Sequence, residues 1–155
     1  MYAFNWSWKN VDLPEVDNEQ LAMEFEAELL AASLAPLQDR CESAKDAESK
    51  RAGADGQEVE LLAHLGELYS RLGHLKRGLR VDQALVRLRP EEPIFHYNLA
   101  CSHSRLGEVE SAFDALQAAV RLGYHNFEHL RQDQDLDNLK EDERFYELLR
   151  QFETG

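Results

Sequence analysis

The sequence has little of what would mark a secreted, membrane-embedded or nucleic-acid-bound protein. It holds two cysteines, Cys41 and Cys101. They are too few and too far apart for a disulfide framework or a Cys-x-x-Cys metal site, so the expectation is two reduced thiols in a cytoplasmic protein. Apolar runs stop far short of the ~20 residues needed to cross a bilayer. The start, Met1-Tyr2-Ala3-Phe4-Asn5-Trp6, lacks both a basic leader and a long apolar stretch, and does not read as a secretory signal. Basic residues are outnumbered, 17 Lys and Arg against 30 Asp and Glu, for a net charge of −13. That balance argues against nucleic acid, whose phosphates demand a basic surface, and against anionic membranes. A phosphate-cradling glycine loop is missing, since Gly53 and Gly56 lie in a polar stretch with no strand before them, and no serine stands in a nucleophile elbow. Strict alternation over the central half is missing too, so a sheet is the poorer reading there.

What is present is a phrase spoken twice. Ser70-Arg71-Leu72-Gly73 returns 34 residues later as Ser104-Arg105-Leu106-Gly107. At the same offset Val86-Arg87-Leu88 returns as Val120-Arg121-Leu122, Ala84 as Ala118 and Leu65 as Leu99. A fixed period of this size marks a repeat architecture, in which one unit cannot bury its apolar face alone and stacks on the next. Within the first unit, Leu61, Leu62, Leu65, Leu68, Tyr69 and Leu72 recur at three- and four-residue steps and predict an amphipathic helix. Gly73 ends it, and Leu75, Leu79, Leu85 and Leu88 predict a second helix closed by Pro90. The second unit repeats the plan with Phe95, Leu99 and Leu106, then Gly107, then Val109, Phe113, Leu116, Val120 and Leu122, ending at Gly123.

With Leu65, Gly66, Tyr69 and Pro90 in a unit opening at Val59, and Leu99, Ala100, Ala112 and Ala119 in one opening at Pro93, residues 59–126 resemble the tetratricopeptide repeat family. The departures are Gly78 where alanine is usual, Asp82 where a buried aromatic or leucine is usual, His103 in place of tyrosine, and Tyr124 in place of the closing proline. The resemblance implies an all-α fold: a short right-handed helical-hairpin solenoid with N-terminal helices and a C-terminal capping helix. It also implies a concave groove lined by the first helix of each unit, here by Glu60, Ala63, Glu67, Ser70 and Arg71, then Ile94, Tyr97, Asn98, Cys101, Ser104 and Arg105. Arg71 and Arg105, one repeat apart, would clamp an acidic side chain or chain terminus, or else pair with Glu67 and Glu108. The family's carboxylate clamp for chaperone tails is not intact, because Asn98 matches but Ala63 and Glu67 do not.

The flanks divide into three. Residues 1–16 are an aromatic arm and linker, where Tyr2, Phe4, Trp6 and Trp8 alternate with smaller residues and place four aromatics on one side of an extended segment. Such a row packs on the protein's own helices, on another copy, or on a partner as an anchor. Residues 17–58 are expected to form a helical hairpin and polar linker, with Asp17 as N-cap, Leu21, Met23, Phe25, Leu29, Leu30 and Leu34 on a first helix, and Pro36 as the break. Residues 127–155 are expected to close the array, with a short helix around Leu130, a turn through Asp133, Asp135 and Leu136, and a last helix bearing Phe145, Tyr146, Leu148, Leu149 and Phe152. From Asp12 to Glu60 there are fourteen acidic residues and four basic ones, whereas Arg71 to Arg89 holds six basic residues against Asp82 alone. Either the acidic half covers that basic stretch, or the stretch docks an acidic partner.

Chemistry is weakly signalled. His125-Asn126-Phe127-Glu128-His129 spells H-x-x-E-H, the inverted zinc-peptidase pattern, but a catalytic zinc needs a third protein ligand and the 26 residues that follow belong to the closing helices. Asp133, Asp135 and Asp137 resemble half a calcium loop, with Asn138 and Arg144 where a glycine and a glutamate are required. The reading is therefore a protein–protein interaction module: an adaptor, scaffold or assembly factor without enzymatic activity, cofactor or metal. It would bind a peptide or helix of another protein through Glu67, Arg71, Tyr97, Asn98, Cys101 and Arg105. The alternative is a structural subunit or homo-oligomer anchored by Tyr2, Phe4, Trp6 and Trp8, and a metal-dependent hydrolase stands as a remote third. Neither nucleic acid nor membrane insertion enters any of them.

Overall fold

A computed structural model describes residues 18–43 and 56–153, with side chains for 19–35 and 56–152. The described residues fold into helices joined by short turns, and no strand occurs among them. In chain order they form α1 (Asn18–Ser43), α2 (Gly56–Arg71), α3 (Leu75–Leu88), α4 (Pro93–Arg105) and α5 (Val109–Arg121). The closing segment follows as α6 (Phe127–Gln132), a 3-10 turn (Gln134–Leu136), α7 (Asp137–Lys140) and α8 (Glu143–Glu153).

The corners explain why the helices pair. Gly73 and Gly107 sit at φ 73° and 77°, a left-handed conformation that costs an L side chain strain. Each corner is closed by the same two backbone bonds: Gly73 N–H to Ser70 O and His74 N–H to Tyr69 O, then Gly107 N–H to Ser104 O and Glu108 N–H to His103 O. The repeated SRLG phrase is thus a repeated helix stop, and α2 packs on α3, α3 on α4 and α4 on α5. Close approach within the first pair depends on Gly66, where an added Cβ would stand 3.1 Å from Val81 Cγ1.

Two cores result. Val59, Leu62, Leu65, Leu68, Val81, Leu85 and Leu88 bury against Ala27 and Leu34 of α1. Ala100, Ala112, Leu116 and Ala119 bury against Leu130, Leu136, Leu139, Phe145 and Leu149 of the closing segment. Each large buried side chain among these contributes roughly 1.5–3 kcal/mol by leaving water. Arg144 fastens α8 to α5, with its guanidinium 2.8 Å and 2.9 Å from the two oxygens of Glu110 and 4.4 Å from the centre of the Phe113 ring.

Two expectations change. The break at Pro36 does not occur: α1 is one helix from Asn18 to Ser43, so residues 17–58 hold no hairpin among the described residues. Proline forfeits a single N–H at position 36, while the alanines around it favour helix and Ala27 and Leu34 fix α1 to its neighbours. Of the six basic residues of the Arg71–Arg89 stretch, the acidic half reaches two, Arg71 and Arg77, with His74 between them. Glu19 meets Arg71 at 3.3 Å, Glu24 meets His74 at 3.0 Å and Glu28 meets Arg77 at 2.5 Å.

Candidate functional site

A groove of about 590 Å³ runs between α2 and α4. From α2 it is lined by Glu60, Ala63, Glu67 and Ser70, and from α4 by Ile94, Tyr97, Asn98, Cys101 and Arg105. Nine of the eleven residues that the repeat pattern assigns to it are therefore there. The exceptions are Arg71 and Ser104. Arg71 is one helical step past Ser70, turned to Glu19 of α1. Ser104 is fully buried, with its carbonyl accepting from Asn138 Nδ2 at 2.6 Å. The arm residues Tyr2, Phe4, Trp6 and Trp8 lie outside the described residues.

The floor of the groove is a fixed polar network. Tyr97 is buried and stacks on Tyr124, ring centres 4.6 Å apart and planes 9° from parallel. Its hydroxyl donates to an Asp133 oxygen, and Cys101 Sγ lies 3.6 Å from the same oxygen. With that proton committed, His129 Nε2, 3.0 Å away, must be the donor to the Tyr97 oxygen. Burial, reinforced by the neighbouring Cys101 and Asp133, drives the Tyr97 hydroxyl well above its ordinary range. Burial first, then Asp133, does the same to the Cys101 thiol, which disfavours the reactive thiolate.

Arg105 is wall, not clamp. Its guanidinium donates to Ser70 Oγ, reaches Ser70 O at 3.3 Å, and places Nε 3.5 Å from Asp135 Oδ1. The pairing with Glu67 and Glu108 is not the one formed: Arg71 turns out of the groove to Glu19, and Arg105 turns to Ser70 and Asp135. Its charge is met by Asp135, and the His64 imidazole, also in the lining, lies 3.0 Å from Glu26. Glu60, Glu67 and Asp82 remain, so the groove as a whole is acidic.

Sequence reasoning missed His64, Gly66, Asp82, Phe95, Ser102 and Asp135 as lining residues. Asp82 had a signal, as a carboxylate in a position that calls for an apolar side chain. It is 7% exposed, and its Oδ2 accepts from Ser102 Oγ at 2.5 Å, tying α3 to α4 under the groove. Burial pushes its carboxyl up to about 6, with the Ser102 bond and the nearby His103 pulling the other way. Asp135 had none, since a carboxylate in a polar turn reads as solvated.

The H-x-x-E-H stretch is differently used. His129 is engaged by Tyr97, Glu128 accepts from Gln132, and the Asn126 side chain caps α6 by accepting from His129 N–H at 3.2 Å. No group of three or more His, Cys, Asp and Glu is placed to hold a metal among the described residues. None of the helices is long and apolar enough to cross a membrane among those residues.

No protein-family model matches the chain, and no solved structure matches it. Among curated proteins it is similar to a chloroplastic protein of Arabidopsis thaliana, with 32% identity over 93 residues. The match covers 58% of this chain and 28% of that protein, so the chain spans well under half the length of its relative. The relative is chloroplastic, which overturns the cytoplasmic expectation: scarce cysteine and a missing secretory signal do not separate cytoplasm from plastid.

Proposed function

We propose that the protein is a tetratricopeptide-type interaction module whose groove holds a segment of another polypeptide, and that it performs binding and no catalysis. The observation that carries this reading is the groove itself, walled by successive first helices and floored by side chains already locked to one another. A surface fixed before its partner arrives loses little entropy on binding. Cross-unit bonds at one repeat length support the solenoid: Ser104 O with Asn138 and Glu110 with Arg144 are 34 residues apart, and Ser70 with Arg105 is 35. The likeness to a chloroplastic protein supports work in a plastid.

The lining also narrows the partner. With Arg105 held by Asp135 and His64 by Glu26, an occupant must meet Glu60 and Glu67 and lay an apolar side chain on Ile94 and Phe95. We therefore assign it a basic or neutral segment with an apolar anchor, the reverse of the acidic partner that a pair of arginines would select. A random displayed-peptide library selected on the whole chain tests this. Enriched peptides should carry lysine or arginine, and Glu67→Lys should weaken them roughly tenfold, about 1.4 kcal/mol. The charge-matched Glu143→Lys, which is outside the groove lining, should not. Acidic winners, or equal losses from the two substitutions, would defeat the reading.

A further inference from the structure

Among the described residues, Asp82 is the one member of α3 that lines the groove; the rest of the lining comes from α2, α4 and the turn that holds Asp135. Its side chain reaches the groove from beneath, between the two helices that wall it, and is 93% buried, with 7% exposed. Oδ2 takes the Ser102 hydroxyl. Among the described residues no donor reaches Oδ1, and no lysine or arginine pairs with the carboxylate. Beside Oδ1 stands the bare backbone of Gly66, where an added Cβ would lie 3.5 Å from it. A glycine inside a helix lowers its stability. Here Gly66 and the carboxylate next to it both face the groove.

A buried carboxylate without a counter-charge is unfavourable. The repeat pattern calls for an apolar side chain at this position, yet the chain keeps an acid there and turns it toward an open groove. What such a group lacks is a cation. A single free oxygen cannot grip a guanidinium in the two-point manner that arginine favours, whereas an ammonium is a point charge with three donors. Further acceptors stand close by: Ser102 Oγ beside Oδ2, and the Asn98 carboxamide one turn earlier on α4, also in the lining. A lysine carries its charge at the end of a four-carbon stem. It can set that charge on the floor while its backbone stays beside the exposed Glu60 and Glu67.

We propose that Asp82 selects the occupant of the groove: its carboxylate, bared by Gly66 and flanked by Ser102 and Asn98, receives the ammonium of one lysine side chain. The inference rests on the peptide-binding reading of the groove and names the residue that sets its specificity.

A displayed random-peptide library, selected in parallel on the whole chain and on Asp82→Asn at pH 7.5, tests it. The variant still offers an oxygen to Ser102, and its circular dichroism should match the parent's. Winners from the parent should share a lysine at a fixed spacing from their apolar residue. Winners from the variant should keep the apolar residue and lose that lysine. In a parent winner, arginine in place of the lysine should weaken binding severalfold. Burial raises the Asp82 carboxyl to about 6, so about one free molecule in ten is ionised at pH 5. From pH 7.5 to pH 5 the parent should therefore lose about tenfold more affinity for that peptide than the variant does. Glu60, His64 and Glu67 of α2, His103 and Arg105 of α4, and Asp135 are common to both chains and cancel. A lysine that persists in the variant's winners, arginine that serves as well, or equal pH dependence in the two chains overturns the proposal and leaves the groove reading standing. Acidic winners, or winners indifferent to Glu67→Lys, defeat the groove reading and this proposal with it.

Discussion

Asp82 is the place where the stability of this protein should depend on pH in an unusual direction. Its carboxyl is raised from an ordinary 3.8 to about 6 by burial. Between those values the folded chain holds a proton that the unfolded chain has lost. Stability attached to Asp82 is therefore full below about pH 4, falls as pH rises, and is lost above about 6. A difference of about two pH units at ~1.4 kcal/mol each makes the loss about 3 kcal/mol. Asp82→Asn removes the titration and still offers an oxygen to Ser102. The variant should exceed the parent by up to about 3 kcal/mol near pH 7.5, and the gap should close near pH 4. That figure is a ceiling, because the Ser102 hydroxyl bonds a carboxylate more strongly than an amide. Urea unfolding of parent and variant at matched pH values measures the gap directly. Groups common to both chains cancel, among them Glu110 and Asp142, whose carboxyls the Arg144 hydrogen bonds hold below the usual range. A gap of the same size at pH 4 and pH 7.5 would refute the assignment.

Two further substitutions test the corners and the core. Gly107→Ala meets no atom within 4 Å but must hold φ at 77°, so its cost should be the backbone strain alone, about 1 kcal/mol in a urea titration. A cost near zero would mean that the corner relaxes. Ser104→Ala deletes a fully buried hydroxyl oxygen that has no hydrogen-bond partner. Thermal unfolding should show a gain of about 1 kcal/mol, since an unpaired buried polar group is destabilising, and a loss would mean that the hydroxyl is satisfied.

How much of this was legible depended on whether a residue's role followed from its own neighbours in sequence. Helices α2 to α5 did, because apolar spacing and a glycine stop are local signals, and the structure ends each helix within a residue or two of the expected place. Pro36 misled because its local rule is strong, yet α1 continues through it, and the contacts that anchor α1 lie on α2 and α3, far away in sequence. Arg71 and Arg105 misled in the opposite way. Identical phrases predict identical roles, but Arg71 has α1 beside it and Arg105 has the closing segment. One meets Glu19 and the other meets Asp135.

The closing segment shows how far the period reaches once apolar identity has faded. Counting 34 on from Ser70 gives Ser104, and 34 on from Ser104 gives Asn138. Arg105 meets the Ser70 carbonyl, and Asn138 meets the Ser104 carbonyl, so each corner is held by a polar side chain one unit later. The acidic turn before Asn138, which read as solvated, is drawn in by the same stacking. Asp133 takes the Tyr97 hydroxyl and Asp135 approaches Arg105, while Lys140 Nζ fixes the turn by donating to Asp133 O at 2.6 Å. The tail therefore behaves as a third, shortened unit, and it does more than cover apolar surface. Asp135 finishes the far wall of the groove and meets the one arginine there, while Asp133 holds Tyr97 from behind. The groove's acidity comes from Glu60, Glu67 and Asp82 of the repeats, and the segment that ends the stack deepens it by matching Arg105 with Asp135.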